Sequence, residues 1–172
     1  MRTRRYFISL ALAAAAALGA VLALPAPPAQ AEAAYQRFVP LLIDLSGWSG
    51  DKAEGMAMEM SGASMTAATR NYERGEARIE AQIMTGPAAQ GALAMTGAEM
   101  KIESSDGRMS SAELDGFQVT RTYTFSDKSG GILVALRANA LFSLSFSGIA
   151  DDEALALAKE FDWKAMQAAV GQ

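Results

Sequence analysis

Hydrophobic and polar positions change their period several times along this chain. Residues 6–24 carry no charge and are mostly Ala and Leu. Residues 32–45 read as helical, with Ala33, Ala34, Phe38 and Leu41 on one face and Pro40 limiting regular extension. After the turn cluster Ser46-Gly47-Trp48-Ser49-Gly50 the period becomes two. Met56, Met58 and Met60 alternate with Ala57 and Glu59, which predicts a short strand. Residues 64–73 and 77–85 predict a hairpin turning at Arg74-Gly75. In its second arm Ile79, Ala81 and Ile83 share one face, and Arg78, Glu80 and Gln82 the other.

Gly86-Pro87 opens a small, Ala-rich segment that predicts a short helix to about residue 95. Strand patterns return at residues 100–104, 109–114 and 119–125, separated by turns at Asp106-Gly107 and Asp115-Gly116. Val119, Arg121, Tyr123 and Phe125 are candidates for one face. A turn is expected over 127–131. Residues 132–137 and 141–146 are more continuous apolar runs, suited to the centre of a sheet covered on both sides. Asp151 is expected to cap a helix whose apolar face carries Ala154, Leu155, Leu157, Ala158 and Phe161. Asp162 is expected to cap a second short helix with Trp163 and Met166.

Together these elements predict one α+β domain over residues 32–172. A mostly antiparallel sheet of six to eight strands forms a meander, packed by N- and C-terminal helices. The order of helix, hairpin, further strands and helix is loosely similar in layout to secreted Mog1/PsbP-like α+β domains, with no shared motif.

The N-terminus changes the picture of where this domain works. Arg2, Arg4 and Arg5 precede the uncharged stretch, Pro25 to Gln30 break it, and Ala29-Gln30-Ala31 is a small-x-small site. A basic region, an apolar region and such a site predict a secretory signal cleaved after Ala31. Thr3-Arg4-Arg5-Tyr6-Phe7-Ile8 resembles the twin-arginine export motif, which implies passage in a folded state. The expected location is periplasmic or secreted. Removing residues 1–31 takes three arginines and leaves 12 basic against 19 acidic residues, a net charge of −7. Such a surface has no footprint for a phosphate backbone, so nucleic acid is not an expected partner. No Cys stands at the cleavage site for a lipid anchor, and no stable membrane insertion is expected once the signal is removed.

The chain contains no Cys and no His. That excludes thiol nucleophiles, disulfides, zinc–thiolate and iron–sulfur sites, Ser-His-Asp triads and imidazole ligation. Ser49-Gly50-Asp51-Lys52 and Lys128-Ser129-Gly130 match two short strings of penicillin-binding enzymes, but the S-D-N element is missing and the chain is too short for that fold. Asp151-Asp152-Glu153 opens a helix, where acids are favoured by the dipole alone. Trp48 and Trp163 each sit beside a helix and are expected to clamp it to the sheet.

One constellation offers chemistry. Nine of the ten methionines follow Ala31, and four lie at Met56, Met58, Met60 and Met65. Thioether sulfur is a soft donor suited to Cu(I). A spacing of two sets three of these residues along one strand face, with Cα atoms about 7 Å apart. The segment resembles the methionine-rich stretches of exported copper-handling proteins. Packing of the same residues in an irregular core is the competing explanation. The expected function is therefore a non-enzymatic envelope domain without an obligatory cofactor, binding a protein partner or small ligand. The alternative is a Cu(I) protein that uses Met56, Met58, Met60 and Met65. An exposed methionine face separates the metal reading from packing.

Overall fold

The computed structural model describes residues 34–171 apart from 61, 95 and 97–98, so the expected export signal lies outside the described residues. Nine antiparallel strands form one sheet: β1 (Ser49–Gly50), β2 (Glu54–Met60), β3 (Ala63–Arg74), β4 (Ala77–Thr85), β5 (Met100–Glu103), β6 (Gly107–Leu114), β7 (Phe117–Thr124), β8 (Ser129–Arg137) and β9 (Ala140–Ser147). Their order is β1-β3-β4-β9-β8-β7-β6-β5, with β2 also paired to β3. Ser49 and Gly50 lie opposite Glu73 and Tyr72, and Glu54 to Met60 opposite Thr69 to Ala63. β1 and β2 thus form one edge, interrupted at residues 51–53. Two meanders, β2–β4 and β5–β9, join where β9 pairs with β4.

One face of this sheet carries the main core. Ala68, Tyr72, Ile79, Ile83, Phe142 and Val134 pack beneath Phe38, Leu42 and Leu45 of the N-terminal segment. The same core receives α2 (Asp151–Ala158) and α3 (Trp163–Ala169), through Ala154, Leu157, Trp163 and Met166. Phe161, between these helices, meets Tyr72 edge-on at 6.5 Å and Phe142 at 4.9 Å between ring centroids. The connection from β4 to β5 crosses the other face. Its helix α1 (Pro87–Ala94) packs on β3, β4 and β9, and Ala67, Ala89 and Leu141 are buried apart from the main core. Further along, the Ser111 hydroxyl donates to the Thr96 carbonyl at 3.2 Å. This second cover accounts for the unbroken apolar run at the start of β9.

Several expectations change. The N-terminal helix is cut to a short helical stretch at residues 34–36 and a 3-10 turn at Val39–Leu41. Its continuation would need the carbonyls that sheet side chains take instead. Arg70 Nη1 donates to Leu42 O at 2.8 Å, and Tyr72 Oη to Ile43 O at 2.7 Å. Ser49-Gly50, read as turn, pairs with β3, and Ser129 to Gly131, read as turn, opens β8. A Cβ on Gly130 would stand 2.0 Å from the Thr122 carbonyl oxygen, so only glycine allows the strands this close there. Asp151 is not a cap. Ala150 occupies that position without a side-chain bond, and Asp151 is buried in the first turn. Asp162 does cap α3, accepting from Ala165 N at 2.9 Å.

Candidate functional site: the methionine face of the sheet edge

The β2–β3 hairpin turns at Gly62, which adopts φ +83°. That left-handed backbone matches the twist of a two-residue hairpin connection. The resulting register sets Met56 opposite Ala67, Met58 opposite Met65 and Met60 opposite Ala63. Residues directly opposite share a face, so the strand places all four methionine positions on one side. It is the side away from the main core, because the alternate positions Ala68 and Tyr72 of β3 are the ones that enter that core.

The geometry brings Met58 and Met65 together as a cross-strand pair, with Cβ atoms about 5 Å apart by strand geometry. Met56 is 50% exposed and Met58 41%, while Met65 is partly buried. Met60 holds the next same-face register position. Met166, on the buried face of α3, is fully buried and shows what a core methionine is in this molecule. Two neighbours escaped the sequence pattern. Glu54 shares the face at a spacing of two from Met56, a signal present in the sequence. Met84 joins it because β4 sets it opposite Ala67, and only the β3–β4 register reveals that.

The edge strand is buttressed from behind. The Tyr35 ring fills the space beside Gly55, where a Cβ would lie 2.1 Å from its Cδ2. Arg70, on the core face of β3, donates from Nε to Asp51 O at 2.8 Å and pairs with Asp44. It also lies 5.2 Å from the Tyr72 ring centroid. These contacts hold the N-terminal segment against the strand that carries Met65. Burial pushes the Tyr72 phenol up to about 12, against the lowering influence of Arg70 beside it.

Other candidates come apart or become structural. Ser49 lies in β1 and Ser129 in β8, four strand spacings away, or about 19 Å. Trp48 lies under the Arg74 guanidinium at 4.3 Å, and Trp163 stands edge-on to Phe117 at 5.8 Å. Both indoles are buried as clamps, and neither Nε1 has a hydrogen-bond partner among the described residues. Among those residues no group of three or more His, Cys, Asp or Glu could hold a metal ion. No described helix is long and apolar enough to cross a membrane. In comparisons with known proteins, no family model, curated protein or solved structure matches this chain.

Proposed function

We propose that this chain is an exported, non-enzymatic binding module of the cell envelope, and that its working surface is the methionine face of β2 and β3, which takes Cu(I). The exposure of Met56 and Met58 beside Met65 carries this reading. Core packing would hide the thioethers, as it hides Met166, whereas a metal face needs them open. Thioethers are neutral soft donors, and their flexible side chains converge on one ion from this spacing. Glu54 on the same face adds a negative charge near the site. A cell envelope is an oxidising setting in which free thiols do not compete. The Mog1/PsbP-like likeness is one of layout and carries none of this assignment.

The test is a titration of the purified protein with Cu(I) against a competing chelator under reducing conditions. The control replaces Met56, Met58, Met60 and Met65 with Leu, which keeps volume and removes sulfur. Stoichiometric binding that the control loses, with its fold retained, supports the copper reading. No binding by the parent protein sinks it. The exposed face then serves an apolar protein partner, since the same flexible side chains adapt to varied surfaces.

A further inference from the structure

A cavity of about 400 Å³ opens on the core face of the sheet, beyond the hydrophobic cluster. Its floor is the cross-strand row Ala57, Thr66 and Thr85, together with Ser64. The neighbouring row, Ala68, Ile83, Phe142 and Val134, is packed tight under the covering segments. Small and hydroxylated side chains follow it, and they leave the space above them open. Arg37 walls the cavity from the N-terminal segment, and Asn139 from the β8–β9 turn. Gly171, just past α3, closes a third side.

Arg37 makes this space a candidate site. Its Nε is shut off from solvent and has no hydrogen-bond partner among the described residues. The guanidinium lies 4.9 Å from the Phe38 ring centroid, and Phe38 is fully buried, so the cation is anchored at the wall. The guanidinium as a whole is only partly buried, and its terminal nitrogens, which make no hydrogen bond among the described residues, are the donors that a ligand oxygen can reach. The planar guanidinium fork suits a carboxylate. One arginine balances one charge, and Glu59 also borders the cavity, which disfavours a multiply charged anion. The Thr66 and Thr85 hydroxyls and the Asn139 amide offer bonds to polar groups on the rest of the molecule. We infer that this cavity binds a small hydroxylated monocarboxylate, its carboxylate on Arg37 and its hydroxyl groups over Thr66 and Thr85.

The site draws on Arg37, Thr66 and Thr85 rather than on thioether sulfur, although two of the proposed Cu(I) donors, Met58 and Met65, border the cavity. Lactate and gluconate serve as probes, with glycerol, citrate and inorganic phosphate as comparisons, each titrated into isotope-labelled protein by NMR. Lactate or gluconate should give saturable shifts at the Thr66, Thr85 and Asn139 amides, and glycerol should give none. Arg37→Gln should weaken this binding by about tenfold or more, as expected for a lost charge-assisted bond. Thr85→Val, which keeps shape and removes one hydroxyl, should weaken gluconate by about threefold or more while preserving the fold. Met56→Leu, which removes a thioether that does not border the cavity, should leave this binding unchanged while weakening Cu(I) binding, so this site and the copper reading fail independently. Equal binding by the parent and Arg37→Gln proteins overturns the proposal. So does the absence of saturable shifts with both monocarboxylates, or a preference for citrate or phosphate.

Discussion

Tyr72 links the sheet to the segment that precedes it through one hydroxyl, and its acidity records how completely it is enclosed. Its phenol, ordinarily at 10.0, is pushed up to about 12 by burial. The ionised form is therefore disfavoured in the folded protein more than in the unfolded chain. This contribution to stability is fully present below about pH 10 and is lost as pH rises through about 12. The loss should reach on the order of 2–3 kcal/mol, read from urea unfolding at a series of alkaline pH values. Tyr72→Phe should remove that dependence on pH and cost about 1 kcal/mol at neutral pH, because the Ile43 carbonyl loses its donor. An unchanged alkaline slope in the variant would assign the effect to another group. Gly130 offers a second check on a single atom. An added methyl group meets the Thr122 carbonyl, so Gly130→Ala should lose about 1–3 kcal/mol by the same unfolding measurement. Full stability in that variant would show that β7 and β8 are not so close there.

At the level of elements, the sheet holds α2 by charge as well as by packing. Asp151, 3% exposed, receives Arg108 Nη2 at 2.8 Å and Arg121 Nη2 at 2.7 Å from the neighbouring strands β6 and β7. Arg121 also reaches Asp152 at 2.9 Å. Removing one partner of a buried pair costs about 3–5 kcal/mol when the other charge stays buried. Here Arg121 keeps Asp152 and Arg108 is partly exposed, so Asp151→Asn should cost less, about 2 kcal/mol. Asp162→Ala removes only the cap of α3 and should cost about 1 kcal/mol. Measured side by side, the buried clamp should exceed the cap; the reverse order would place Asp151 in water. Both helices were legible in the sequence from their apolar spacing, and the cap at Asp162 from its residue type. The role of Asp151 was not, because an acid in a first helical turn has the same local signal whether or not two arginines arrive from distant strands. The hairpins were legible for a complementary reason. Period-two patterns and short Gly-containing turns are local, as at Asp115-Gly116, where both residues adopt positive φ.

Across the whole molecule, the least legible feature was the seam between β4 and β9. Arg78 to Thr85 meet Ser147 to Ala140, more than fifty residues along the chain, and nothing in either strand names the other. That seam decides which strands are central and leaves β2 and β5 as edges. For the candidate site, the common face of Met56, Met58 and Met60 was legible from their spacing. Whether that face met the core or water was not, because it depends on which side of the sheet the helices cover. The cavity beside Arg37 had no sequence signal, since its lining joins residues as far apart in the chain as Arg37, Thr66, Thr85, Asn139 and Gly171. The seam has a measurable consequence. Strands β4, β9 and β8 are hydrogen-bonded on both sides and lie under the main core, so their amides should exchange with solvent slowest. β5 and the β1–β2 edge should exchange fastest among the strands, each having a neighbour on one side only. Protection of β2 equal to that of β4 in dilute protein would contradict this order of stability. Protection that appears only at high concentration would have a different meaning, namely that the open side of β2 pairs with another chain. Exchange should therefore be followed across a dilution series, with the amides of residues 54–60 as the reporters.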